Sequence, residues 1–278
     1  LYKVERVIDT PQAARVGVGR GAPVLNLSTP GDIDAKTQRR SLDLLGRLNQ
    51  DNLELRGGNP ELAARIASYE LAYRMQSEAA EAVDVAAEPE SMRELYGLNE
   101  KRTEYFGRQC LLTRRLLERG VRFVQLYSGG GPDSWDAHVD VPDNHGRHAF
   151  EIDQPIAALM TDLKRQGMWD DTLLIWGGEF GRTVYAQGGL NMAKYGRDHH
   201  PRCFSMWLAG GGIRGGTMYG TTDDFSFNIV ENPVHVYDLH ATMLHCLGID
   251  HEKLTFKFQG RHYRLTDVHG NVVKGILA

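Results

Sequence analysis

Thr172-Leu-Leu-Ile-Trp-Gly-Gly-Glu-Phe-Gly-Arg-Thr183 is the stretch that decides the fold class. Its first five residues are nearly all apolar, as expected of a strand covered on both faces. Two glycines follow, which let backbone approach a bound group closely. Glu179 and Arg182 come directly after. In open α/β sheets, ligands gather at the carboxyl ends of the strands, so polar residues at strand ends are the ones to examine.

Working outward, Val121-Arg-Phe-Val-Gln-Leu-Tyr127 reads as an earlier strand. It is entered from a helix carrying Leu112, Leu116 and Leu117 on one face, which Gly120 closes as a C′ residue. A glycine-rich loop, Ser128 to Pro132, comes next. A long helical stretch then runs to about Met168, with Ile156, Leu159, Met160 and Leu163 on one face. Pro155 either starts its second part or kinks it. Phe204-Ser-Met-Trp-Leu-Ala209 reads as a third strand, Gly210 to Gly220 as tight turns, and Val234 to Leu247 as a last helix ended by Gly248. Strands alternating with helices predict an α/β fold with helices on both faces of a sheet.

The first hundred residues differ. Residues 1–34 are loop-like, with a Gly/Pro stretch from Val16 to Pro23, a short apolar run Val24–Leu27 and a turn with helix N-cap character at Thr29–Asp34. Leu42, Leu45 and Leu48 mark a helix over 35–55, and Pro60 opens another that carries Ala63, Ile66, Leu71 and Tyr73 to about Glu81. The Ala/Glu-rich tract from Ala79 to Glu90 is a solvated connector. The predicted organisation is a helical portion over 1–106 and an α/β core over 107–278.

Composition narrows the function classes. The chain has 278 residues, 41% of them apolar and 24% charged, and a formal charge of −4, an ordinary globular balance with length enough for a core. A weakly acidic balance argues against a nucleic-acid partner, which would need a basic face. No apolar run reaches the roughly 18–20 residues of a membrane span. Cys110, Cys203 and Cys246 are widely spaced, which argues for small apolar fillers rather than a metal or disulfide framework. The first residue is Leu1, with no signal-peptide pattern after it, which reads as a processing boundary or a truncation.

Three polar clusters remain. Trp135-Asp136-Ala137-His138 follows the first strand; Asp136 and His138, two apart in an extended backbone, point the same way and can reach one cation. A tryptophan-anchored loop with a surface histidine is the plain alternative. Gly196-Arg-Asp-His-His-Pro201 precedes the third strand, and Pro201 holds His200 out of helical geometry. Asp198, His199 and His200 carry zinc-type ligand atoms, against the alternative of a polar loop. Glu179, after its apolar strand, needs either a cation or a structural salt bridge to Arg182. His235, His240 and His245 do not match: the last two are five apart, about 140° around a helix, so they form no i, i+4 chelate. Gly210–Gly216 lacks a strand–GxGxxG–helix setting, and neither a phosphate-binding GxxxxGK[ST] loop nor a GxSxG elbow occurs.

Leu173–Thr183, Tyr195–Pro201, Ala209–Gly216 and Tyr237–Ile249, in this order, resemble a bacterial sulfatase-like family of the alkaline phosphatase superfamily, a domain of unknown function abundant in planctomycetes. The resemblance spans essentially the whole chain. It implies a twisted, mostly parallel sheet between helices and a divalent metal, zinc or calcium. It also implies attack on phosphate or sulfate esters by an activated oxygen nucleophile. By position, Asp136, His138 and one histidine of the Asp198-His199-His200 cluster, His199 above the others, resemble the ligands of one metal. Glu179 stands where the superfamily has the Asp of an Asp-His pair, but Phe180 replaces the histidine and cannot ligate. Arg182 and Arg197 are the anion-stabilising candidates. Longer relatives carry an N-terminal part with the first strand, an Asp ligand, the Ser/Thr nucleophile and an export signal, so an exported full-length protein is implied. The expected activity is hydrolysis of an anionic ester. A non-catalytic binder or scaffold, for instance for sulfated polysaccharide, is the alternative, and a phosphotransferase or isomerase on the same scaffold a third.

Overall fold

The computed structural model describes residues 33–55, 57–58, 60–128, 134–178, 180–187 and 194–278. The Gly/Pro-rich start, the run Val24–Leu27, most of the loop after Ser128 and Glu179 lie outside these residues. The chain divides into two compact units, Leu1–Gly131 and Pro132–Ala278.

The first unit is helical. Helix α1 (Ala35–Leu55) starts at Asp34, whose carboxylate accepts from the backbone N–H of Lys36 and Thr37, both at 2.9 Å, as an N-cap does. None of its residues is buried, and Leu45 and Leu48 are more than half exposed, so the apolar face predicted from leucine spacing is uncovered among the described residues. Helix α2 (Pro60–Val83) begins at the expected proline. The Ala/Glu-rich connector contains a short 3-10 turn (Val85–Ala87) before α3 (Glu90–Leu95). Helix α4 (Glu104–Glu118) supplies most of the core, through Phe106, Cys110, Leu111 and Leu112. Gly107 is required where α4 passes the end of α3: a Cβ there would lie 2.1 Å from the Tyr96 carbonyl oxygen. Helix α4 ends as expected, with Gly120 at φ +81° and Val121 N–H donating to the Leu116 carbonyl. The 106/107 boundary predicted from sequence falls inside this helix.

Val121–Tyr127 is not a strand. The segment is mostly exposed, and among the described residues no partner strand pairs with it. Local β propensity is insufficient without a neighbour to take its backbone hydrogen bonds.

The second unit mixes helix and strand. Helix α5 (Val141–Arg165) buries Asn144, His148, Ile152, Pro155, Ala158, Leu159, Asp162 and Leu163, a single face at helical spacing. Pro155 is accommodated inside it. Strand β1 (Leu173–Trp176) pairs antiparallel with β4 (Trp207–Gly210), joining Leu173 to Gly210 and Trp176 to Trp207. The third predicted strand therefore begins three residues later than expected. Between them, β2 (Gly181–Arg182) pairs antiparallel with β3 (His199–His200). The short ladders β5 (Thr221–Thr222) with β6 (Ile229–Glu231), and β7 (Thr255–Phe258) with β8 (Arg261–Arg264), are also antiparallel. Helix α6 (Val236–Cys246) lies between them in sequence, with His235 and Asp238 forming a capping box.

The molecule is thus mixed α/β, but the mostly parallel sheet of the sequence reading does not appear. Every strand pair among the described residues is a two-stranded antiparallel ladder. A parallel pair needs two strands side by side with a crossover between them, and Val121–Tyr127, the strand that would supply one, is unpaired. No described helix is long and apolar enough to cross a membrane. All three cysteines are free, Cys110 and Cys203 buried and Cys246 half-buried.

Candidate metal centre

Three segments of the second unit lie side by side. The segment 194–200 is flanked on one side by 137–141, where Val141 N–H donates to the Tyr195 carbonyl and Arg197 N–H to the Ala137 carbonyl. On its other side lies 181–187, where Thr183 N–H donates to the Asp198 carbonyl and Gln187 N–H to the Gly196 carbonyl. Gly196 makes this approach possible: a Cβ on it would lie 1.7 Å from the His138 carbonyl oxygen. In the β2–β3 ladder Arg182 stands opposite His199, and directly opposed residues share a face.

Asp136 is held from behind. The Trp135 ring lies 5.5 Å from His145 and 5.3 Å from His148 and meets Trp176 edge-on at 6.4 Å. Asn144 and His145, in the first turns of α5, donate to the carbonyls of Ser134 and Trp135. The loop that carries Asp136 is therefore pinned to a helix.

These supports bring Asp136, His138 and His199 together, with one ligand atom from each within 4.8 Å of the others. Asp136 Oδ1 lies 2.8 Å from His199 Nε2 and 3.0 Å from His138 Nε2, and it also accepts from the Arg182 guanidinium. The Arg182 hydrogen bond, then that of His199, holds the Asp136 carboxyl at a pKa of about 2. On the far side of the His138 ring, Nδ1 lies 2.6 Å from Gln187 Oε1. An amide oxygen only accepts, so with Gln187 in this orientation Nδ1 carries a proton, and in a neutral His138 Nε2 then presents a lone pair. That lone pair faces a carboxylate oxygen at 3.0 Å. Two acceptors at that distance need a cation between them, a proton or a metal. The donor set fits a metal: two imidazoles and a carboxylate are zinc ligands, and a ligating histidine characteristically gives its other N–H to an oxygen. Tetrahedral zinc places its ligand atoms about 3.5 Å apart, so small side-chain rotations would suffice.

The remaining predicted residues are placed differently. Asp198 stays outside the cluster: its Oδ1 accepts from the backbone N–H of His199 and lies 4.0 Å from His138 Nδ1. His200 follows His199 on a strand and so points to the opposite face. It is buried, its Nε2 donates to the Phe227 carbonyl at 2.6 Å, and its ring stacks on Phe227 at 4.2 Å. Its nitrogen is thus committed to backbone. Phe180 lies flat on the His199 ring, 5.7 Å between centroids. Arg182 and Arg197 line a cavity of about 200 Å³ with Ala137, Val141, His145 and Tyr195. Of the other histidines, His235 is the N-cap of α6, His240 is half-buried and His245 exposed.

The family model described as "Protein of unknown function (DUF1501)" matches residues 10–277. The chain belongs to this DUF1501 family. No curated protein and no solved structure matches it. Gln187, His145 and Val141 of the DUF1501 chain were not singled out from sequence. Gln187 stands alone between two glycine-rich stretches, and only the Gln187–Gly196 pairing brings it to His138. His145 falls seven residues after His138, a spacing that carries no ligand pattern.

Proposed function

We propose that the DUF1501 chain is a sulfatase-like, metal-dependent hydrolase of phosphate or sulfate esters, of the alkaline phosphatase type. The observation that carries this reading is the convergence of His138 Nε2 and His199 Nε2 on Asp136 Oδ1, all three ligand atoms lying within 4.8 Å of one another. Its position beside a cavity that contains two arginines supplies the anion selectivity.

In this reading Asp136, His138 and His199 hold a divalent cation, zinc or calcium, and two imidazoles favour zinc. When bound, such an ion supplies Lewis-acid stabilisation of a developing oxyanion. Gln187 fixes the His138 tautomer. Arg182, held by Asp136 and by the Arg197 carbonyl at 3.3 Å, cannot swing away and presents a fixed positive charge. Arg197 adds a second. Fixed charges aimed where negative charge develops cost no reorganisation during reaction.

Zinc content of the dialysed protein, and turnover of aryl phosphates and aryl sulfates with and without added zinc, test this. The expected result is one zinc per chain, lost in Asp136→Ala, with cleavage that follows zinc content. Full metal content in Asp136→Ala would remove the ligand assignment. Phe180 supports a second reading, a non-catalytic sulfatase-like binder: its ring covers the flank of His199 with carbon. Stoichiometric zinc without cleavage of any ester would favour that reading.

A further inference from the structure

The cavity beside the cluster is lined by two cations, Arg182 and Arg197, and by Ala137, Val141, Tyr195 and His145. The two cations are not equivalent. Arg182 is paired with Asp136, whereas among the described residues no carboxylate pairs with Arg197. Its guanidinium lies 5.7 Å over the Tyr195 ring instead, a contact that orients a cation without neutralising it. Backbone bonds fix this arrangement, since Tyr195 accepts from Val141 N–H and Arg197 donates its N–H to Ala137. A half-buried guanidinium that no carboxylate among the described residues neutralises, in a cavity also lined by small apolar groups, fits a ligand that is anionic at one end and apolar at the other.

Size narrows the class. The cavity holds about 200 Å³, while an apolar cavity of about 150 Å³ is known to hold a benzene ring and drug-sized ligands take about 300–1,000 Å³. A tetrahedral oxyanion with one compact organic group is of the size this space holds.

We infer that the cavity is a subsite for a compact organic monoester: Arg197 and Arg182 take the phosphate or sulfate group, and Ala137, Val141 and Tyr195 take a small apolar or single-ring ester group. This deepens the hydrolase reading and rests on it for the word ester, but the binding chemistry stands on the cavity itself. It places a small-molecule ester, rather than a sulfated polysaccharide, as the ligand.

Titration calorimetry of the full chain with inorganic phosphate, inorganic sulfate, phenylphosphonate, 2-naphthylphosphonate and dextran sulfate tests it. Phosphate, sulfate and the two phosphonates contain no ester to hydrolyse, so their binding is read without turnover, and release of free sulfate is monitored for dextran sulfate. Burial of one ring predicts that phenylphosphonate binds about tenfold to a hundredfold tighter than inorganic phosphate. The naphthyl compound is expected to lose that gain, and dextran sulfate to bind no tighter per sulfate than inorganic sulfate. Val141→Phe should bring phenylphosphonate down to the affinity of phosphate, and Arg197→Gln should weaken both. The naphthyl comparison gives the same information should Val141→Phe not fold. Equal affinity for phosphate and phenylphosphonate, no binding of either, or preferential binding of dextran sulfate would overturn the assignment. Ring-selective binding in a protein that holds no zinc and cleaves nothing would sink the hydrolase reading and leave this subsite standing. Ester cleavage with no ring preference would do the reverse.

Discussion

Each unit of the chain builds a cluster from arginine and carboxylate, and the two clusters have opposite characters. In the first unit, Arg114 and Arg115 of α4 converge on Glu88. All three side chains are no more than 10% exposed. Arg115 also donates to the carbonyls of Ala82 and Glu81 at 2.8 and 2.6 Å, and Arg114 pairs with Glu118 at 2.7 Å. In the second unit, Arg182 meets Asp136 with side chains 22% and 48% exposed, and two imidazole nitrogens converge on the same carboxylate oxygen. The first cluster is closed to water, and its charges are paired with one another. The second leaves its carboxylate and both imidazoles half exposed to solvent, next to an arginine that no carboxylate among the described residues pairs with. Burial with paired charges marks a structural element; exposure with convergent ligand atoms marks a site.

The largest effect that would break this contrast is in the first cluster. Removing one partner of a buried ion pair leaves an uncompensated charge, and Glu88→Gln leaves two arginines without their shared carboxylate. Chemical denaturation should show a loss of about 3–5 kcal/mol. Asp136→Ala, in the exposed cluster, should cost no more than about 1 kcal/mol of stability while abolishing zinc binding. Similar stability losses in the two variants would erase the distinction.

The next effect is steric. In Gly196→Ala the new methyl meets the His138 carbonyl oxygen, so segment 194–200 must move away from 137–141. Overpacking of this kind costs about 1–3 kcal/mol. The more specific expectation is that zinc affinity falls with it, because the same shift carries His199 away from Asp136. Gly178→Ala serves as the control, since a Cβ there meets nothing within 4 Å. Unchanged zinc binding in Gly196→Ala would show that the close approach is not what assembles the site.

These residues also show what was legible in sequence. The helices of the described chain follow spacing and caps: Pro60, Gly120 and Gly248 stand where helices start or end. Asp136, His138 and His199 could be chosen because ligand atoms two apart on an extended chain share a face, and because Pro201 keeps the second cluster extended. The same alternation excludes His200, but only once the β2–β3 register is known. Strand pairing was not legible. A run such as Val121–Tyr127 has the composition of a strand, and whether it becomes one depends on a partner that its own residues do not specify. The apolar leucines of α1 teach the same lesson, because periodicity identifies a face without identifying what covers it. Gln187 and Val141 act through neighbours distant in sequence, so no local pattern could select them.

A smaller effect sharpens the comparison from outside the ligand set. Among the described residues, Gln187 touches the cluster through His138 Nδ1. Outer partners of ligating histidines contribute about 10–100-fold to metal affinity. Gln187→Leu should therefore weaken zinc within that range, measured by competition with a chromogenic chelator. Gln187→Glu, which keeps an acceptor at the same position, should restore it. A loss in both variants would mean that Gln187 acts by packing rather than by fixing the tautomer.

The smallest effect is the dependence of stability on acid. Asp136 is held at about 2, first by the Arg182 hydrogen bond and then by that of His199. A carboxyl whose folded value lies below its unfolded one contributes stability above the unfolded value, about 3.9, and loses it as pH falls towards the folded one. The Asp136 contribution is therefore complete above about pH 5 and disappears between about pH 4 and pH 2. Because the pair is half exposed, water and salt screen it, and its whole contribution stays within about 1 kcal/mol. For Glu88, burial pushes the carboxyl up, but Arg115 and Arg114 outweigh it and hold the value below normal. The sign is the same, and the pair is screened far less. Thermal melts at pH 5 and pH 3 should show a smaller acid-induced loss in Glu88→Gln than in wild type, with Asp136→Asn close to wild type. If Asp136→Asn instead removed most of the acid sensitivity, the exposed cluster would be holding the fold together, and exposure would no longer separate the site from the structural element.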